Sequence, residues 1–150
     1  MSTVESSIDV NVNVTTASNQ WTQFESFLQF MENVRSVHQL DDRRLHWVAE
    51  IGGETKEWDA EIVEQIPDQR IAWSSISGEP NGGVVTFQSL SDTMCKIHLR
   101  MDYEPQGMLE KAGDVLGLMD RQVRGDLERF KRFIESRGEE TGEWRGTVAA

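Results

Sequence analysis

Between Val34 and Tyr103 the sequence consists of short runs of alternating apolar and polar residues, each closed by turn chemistry. The closures are Asp41-Asp42, Gly52-Gly53, Pro67-Asp68, the stretch from Gly78 to Gly83 that contains Pro80 and Asn81, and Ser91-Asp92. Five closures divide the region into six strands. Gly-Gly is a strong hairpin signal, because two-residue turns need a positive φ that glycine adopts without strain. Strands joined this briefly must be antiparallel neighbours, since a parallel crossover takes a dozen or more residues.

A seventh strand precedes them. Ile8, Val10, Val12 and Val14 alternate with Asp9, Asn11 and Asn13, which puts four β-branched side chains on one face. Thr16, Ser18 or Asn19 then caps one helix, or two short ones, carrying an apolar stripe of Trp21, Phe24, Phe27, Leu28 and Met31. After Pro105 and Gly107 a longer stripe begins: Leu109, Ala112, Leu116, Met119, Val123, Leu127, Phe130 and Ile134, three or four residues apart. It predicts a helix from about Met108 to Arg137, roughly 45 Å long, ended by Gly138. Gly113, Gly117 and Gly125 weaken it, and the first two share a face.

The fold class is therefore α+β. The expected fold is a curved seven-stranded antiparallel sheet wrapped around a long C-terminal helix, with two short helices after the first strand. The 150 residues suit one domain, placed at residues 1–137, followed by a polar tail at 138–150. The net charge of −11, with the acidic excess all ahead of the long helix, argues against nucleic acid and against an anionic membrane surface. A lone cysteine, Cys95, permits no internal disulfide, and the opening MSTVESSIDV lacks the pattern of a secretory signal. No apolar run approaches the ~20 residues that span a bilayer. The expectation is a cytoplasmic protein.

Seven segments carry a resemblance to a known family. They are Ile8-Asp9-Val10-Asn11-Val12, Trp21-Thr22-Gln23-Phe24-Glu25-Ser26-Phe27, Phe30-Met31-Glu32-Asn33-Val34, Glu57-Trp58-Asp59-Ala60-Glu61-Ile62, Arg70-Ile71-Ala72-Trp73, Gly83-Val84-Val85-Thr86-Phe87 and Tyr103-Glu104-Pro105-Gln106-Gly107. In this order and spacing, from about residue 5 to residue 137, the chain resembles the START-like, or Bet v 1-like (SRPBCC), superfamily with the helix-grip fold. The likeness is to its bacterial polyketide cyclase/dehydrase and coenzyme Q-binding-protein-like branch. The fold is the specific part of this likeness; function follows from it only weakly.

Strand parity assigns the faces. Leu45, Trp47, Ala49 and Ile51 point one way, as do Trp58, Ala60 and Ile62, then Ile71 and Trp73, Val85 and Phe87, and Ile97, Leu99, Met101 and Tyr103. Glu57, Asp59 and Glu61 take the opposite face, read as a solvated convex surface and not a metal site, because strand carboxylates project in parallel. By composition the inward set could fill a solid core as readily as line a pocket. The resemblance implies a cavity between sheet and helix, and so a ligand-binding set of Trp47, Trp58, Trp73, Phe87, Leu99, Met101, Tyr103, Leu116 and Met119.

Catalytic signals are absent, and no catalytic residue, metal or cofactor is assigned. His46 and His98 fall on the polar parity, the side taken by His38 is open, and Cys95 points inward as a buried thiol. No nucleophile-elbow, zinc-protease, dithiol, dinucleotide or P-loop pattern occurs. The resemblance leaves Tyr103, and Ser75, which shares parity with Trp73, as the polar groups that would steer proton transfer if a reaction occurs. In the tail, Trp144 and Arg145 are either a docking segment for a second subunit or another protein, or an end folded back on its own domain. The leading reading is binding of a small hydrophobic ligand, a polyketide, lipid, isoprenoid or quinone-like molecule. Entry would pass the loop at Pro105 and Gly107 and the short helices bearing Phe27 and Phe30. The alternatives are a polyketide cyclase or dehydratase using the same cavity, and a quinone-delivery or chaperone-like module.

Overall fold

The alternating runs form six consecutive strands: β2 (Val34–Gln39), β3 (Arg44–Ile51), β4 (Glu54–Ile66), β5 (Arg70–Gly78), β6 (Asn81–Ser91) and β7 (Met94–Tyr103). They follow β1 (Ser2–Val10), α1 (Val14–Gln20) and a 3-10 helix (Phe24–Gln29), and they precede α2 (Ala112–Arg137). A computed structural model describes residues 2–51, 53–78, 81–103 and 112–148.

All pairings are antiparallel, in the order β1-β7-β6-β5-β4-β3-β2. The first strand thus lies beside the last, and α1 with the 3-10 helix carries the chain across to the opposite edge. The sheet curls into a half-barrel around α2, as the helix-grip reading expects. Curvature has a local source in β4, whose pairing with β5 shifts between Asp59 and Ala60 and again between Ile62 and Glu64. Such bulges bend a strand and increase its twist.

Two hairpin turns use positive φ. Gly53 has φ +84° in the β3–β4 turn, and Asp68 has φ +65° in the β4–β5 turn, where an aspartate tolerates the left-handed region. Gly138, at φ +76°, donates its N–H to the Ile134 carbonyl at 2.8 Å and stops α2 where expected. Gly82 and Gly83, read as part of a turn, are instead residues of β6.

The first strand ends earlier than its alternation suggests. Asn13 captures the Thr15 N–H at 2.8 Å and caps α1, so Val12 and Val14 leave the strand. Thr16, Ser18 and Asn19, the expected caps, lie inside the helix. The aromatic stripe also departs from its expected period. Phe24, Phe27 and Phe30 are buried, while Leu28 is 52% exposed. A 3-10 helix repeats every three residues and so aligns the phenylalanines, turning Leu28 outward.

The core forms where this stripe meets α2 and the sheet. Val123, Leu127, Phe130 and Ile134 are buried along α2, and Trp21 contacts Phe27, Phe30 and Phe130 with ring centroids 5.3–5.8 Å apart. Leu45, Ala60, Ile62, Ile71, Val85, Ile97 and Leu99 close it from the sheet, in keeping with the assigned parity. Across the Ile62/Glu64 bulge the parity of β4 shifts: Val63 still points outward, as the alternation requires, but Gln65 is buried. No described helix is long and apolar enough to cross a membrane.

Candidate ligand-binding face

Cross-strand register decides which large side chains meet on the concave surface. Trp47 of β3 lies opposite Trp58 of β4, and their rings stack with centroids 5.8 Å apart and planes 7° from parallel. Phe27 from the 3-10 helix stands beside Trp47 at 5.8 Å, tilted by 54°. A second row crosses the sheet as Ile62, Trp73, Gly83, Met101 and Val4. Here glycine is required by contact. A Cβ on Gly83 would lie 2.5 Å from a Trp73 ring carbon and 2.9 Å from the Met101 sulfur, so the indole covers the bare backbone of β6. Leu99 opposite Val85, and Phe87 opposite Ile97, continue the surface.

Trp47, Trp58, Trp73, Phe87 and Leu99 are all buried, and Met101 is partly buried against the core. The side chains of Tyr103, Leu116 and Met119 lie outside the described residues, as does the loop holding Pro105 and Gly107. Ser75 is half-buried, and its hydroxyl accepts the Asn81 N–H at 3.1 Å, which ties it to holding β5 against β6.

The other titratable candidates stand off this face. His46 is on the convex side, between Asp59 at 2.6 Å and Glu57 at 3.2 Å. Hydrogen bonding to these two carboxylates raises its pKa. His98 meets Ser7 and Glu5, and His38, whose side the sequence left open, is exposed near Glu25. Burial pushes the Cys95 thiol up to about 11, with the Asp9 charge adding to it, which leaves the thiol inert. No metal-binding cluster of His, Cys, Asp or Glu occurs among the described residues. At the β2–β3 turn, Asp41, Asp42, Arg43, Arg44 and Glu61 rim a shallow depression. Asp41 accepts from Arg43 N–H, Arg44 N–H and the Arg44 guanidinium there, so its charge is already satisfied.

This architecture has relatives. Residues 10–132 match the family described as polyketide cyclase / dehydrase and lipid transport. The chain belongs to this family. A relative from Streptomyces lincolnensis, described as an uncharacterized 17.2 kDa protein in the melC2-rnhH intergenic region, is 56% identical over 149 residues and covers 99% of both chains. Among solved structures, DR_A0006 of Deinococcus radiodurans is 27% identical, with a TM-score of 0.73 over 91% of this chain and 99% of its own. The Zhui aromatase/cyclase of a Streptomyces species is 14% identical, with a TM-score of 0.79 over 95% and 99%. A START superfamily protein from Mycobacterium smegmatis is 12% identical, with a TM-score of 0.74 over 88% and 98%. The last two share the fold.

For this member of the polyketide cyclase/dehydrase and lipid transport family, apolar spacing did not reveal one polar network. Asn33 donates to Gln122 at 2.5 Å, Gln122 donates to Asp126 at 2.9 Å, and Arg129 reaches Asp126 at 2.5 Å and the Phe30 carbonyl at 2.9 Å. Burial raises the Asp126 pKa against the opposing pull of Arg129 and Gln122. The network fastens α2 to the segment between the 3-10 helix and β2, and so fixes one wall of the concave space. Its only sequence signal is the spacing of Gln122, Asp126 and Arg129 along one helix flank.

Proposed function

We propose that the chain binds a small hydrophobic ligand between the concave face of the sheet and α2. Trp47, Trp58, Trp73, Phe87, Leu99 and Met101 would line the site, with Tyr103, Leu116 and Met119 completing it. The observation carrying this reading is the concentration of large flat rings on one face, with Trp47 stacked on Trp58 and Trp73 seated over Gly83. Rings and a thioether offer extensive apolar contact at low conformational cost. Binding would come from burial at about 25 cal/mol per Å² of apolar surface. A family whose description includes lipid transport supports the same reading. A cytoplasmic setting fits the lone reduced Cys95.

Native mass spectrometry of the purified protein, followed by organic extraction, tests it. A small apolar molecule retained in stoichiometric amount is the expected result. An empty protein that also fails to bind anilinonaphthalene sulfonate would count against a ligand site.

A cyclase or dehydratase is the second reading, favoured by the other half of the family description. The same face would fold a reactive chain, with Tyr103 as the acid. Turnover unchanged by Tyr103→Phe would remove that role. A delivery or chaperone-like module is the third. The tail is held by α1, by Thr22 just after it and by β4 through Thr141, Arg145, Trp144 and Val148, so docking through Trp144 would first require its release.

A further inference from the structure

Two hydrogen-bond donors on the concave face stand unpaired. The indole nitrogens of Trp47 and Trp58 are sealed from solvent and have no partner among the described residues, in side chains only 6% and 8% exposed. Folded proteins pair nearly all buried donors, because an unpaired one keeps its desolvation cost with no return. The geometry rules out mutual satisfaction. An indole N–H lies in the plane of its ring, and these planes are within 7° of parallel, so neither N–H can be aimed at the other ring's face. Any bond must be made at the edge of the stack. Trp21 also has an unpaired N–H, but its ring is enclosed by Phe27, Phe30 and Phe130, whereas Trp47 has one tilted ring beside it, Phe27, and Trp58 has none among the described residues beyond its stack with Trp47.

Building on the ligand-binding reading above, we propose that Trp47 and Trp58 are specificity-determining donors that read an acceptor oxygen on the ligand. The ligand class this selects is a flat, conjugated carbonyl compound, in preference to a hydrocarbon of the same shape. Its ring system packs against indole and phenyl faces, and its oxygen meets the edge of the Trp47–Trp58 stack. A ligand without that oxygen leaves both donors unpaired, and a site built around buried donors discriminates strongly against such an analogue.

The test compares 9,10-anthraquinone with anthracene, which match in ring shape and differ in the two carbonyl oxygens. Both are titrated into the full-length protein and followed by calorimetry. The expected result is anthraquinone binding about tenfold or more tighter than anthracene. In the Trp47→Phe/Trp58→Phe double variant the ratio of the two affinities should fall to about twofold or less, whatever the variant does to the binding of either compound alone. Equal affinity in the unaltered protein would overturn this inference while leaving the hydrophobic site intact, whereas binding of neither compound would remove both. Should the double variant fail to fold, the infrared carbonyl stretch of anthraquinone bound to the unaltered protein decides the matter. A shift to lower wavenumber supports donation to the carbonyl, and an unshifted band overturns it.

Discussion

Val148 and Gln65 exchange both of their backbone hydrogen bonds, at 2.9 and 2.8 Å, although 83 residues separate them. β3 pairs with β4 only as far as Glu61, so the last residues of β4 present an open edge, and the C-terminal tail covers part of it. The tail also satisfies buried polar groups of α1. Gln20 bonds Thr141 twice, and Asn19 receives Arg145, which reaches on to Asp68 at 3.0 Å. Deleting residues 139–150 should therefore destabilise the domain by roughly 3 kcal/mol or more. Val148 alone accounts for about 1.5–3 kcal/mol of burial, and each stranded polar group of α1 adds about 1–3 kcal/mol. Urea denaturation checks this; an unchanged midpoint would show that the tail contributes nothing.

Gly83→Ala should cost about 1–3 kcal/mol, because its methyl group would drive into the Trp73 ring and the Met101 sulfur. The near-UV circular dichroism of the tryptophans should change with it. The same substitution at Gly53, where φ is positive but nothing lies within 4 Å, would strain the backbone without disturbing that signal.

The 3-10 geometry makes a contrasting pair of predictions. Phe27→Ala should cost about 3–5 kcal/mol, since its ring is 1% exposed and touches Trp21, Phe24, Phe30 and Trp47. Leu28→Ala, one residue on, should stay within about 0.5 kcal/mol. Comparable losses at both positions would mean that the segment packs as an ordinary α-helix.

His46 supplies a pH dependence. Its pKa is raised in the folded protein by hydrogen bonds to Asp59 and Glu57, above the ordinary histidine value of 6.5. The stabilisation is fully present below 6.5 and is lost as pH rises through the higher folded value. The group is largely solvated, so the effect should stay below about 1 kcal/mol. His46→Gln should flatten the stability profile between pH 6 and 8, as read from thermal unfolding across that range.

The parts of this fold that follow a local period were legible in advance. Trp47, Trp58, Trp73, Phe87 and Leu99 could be assigned to one face because alternation is a property of a strand's own backbone. The stripe from Val123 to Ile134 and the stop at Gly138 follow from helix geometry in the same way. Leu28 was misplaced because phenylalanines three apart fit either helix type, and hydrogen bonding chooses between them. Gln65 is buried against the parity of Trp58, Ala60 and Ile62 because a bulge arises from the misfit of two strands, which neither strand records.

The residue pattern of this chain is enough to specify seven antiparallel strands, an apolar-striped closing helix and a convex face carrying much of the acid. Each of these rests on side chains alternating about a single segment. The stacking of Trp47 on Trp58, the seating of Trp73 over Gly83, the Asn33–Gln122–Asp126–Arg129 network and the docking of the tail belong to the folded molecule. They depend on which groups register opposite one another after the sheet curls, and contacts between residues about 10 to more than 120 positions apart have no counterpart in a local period.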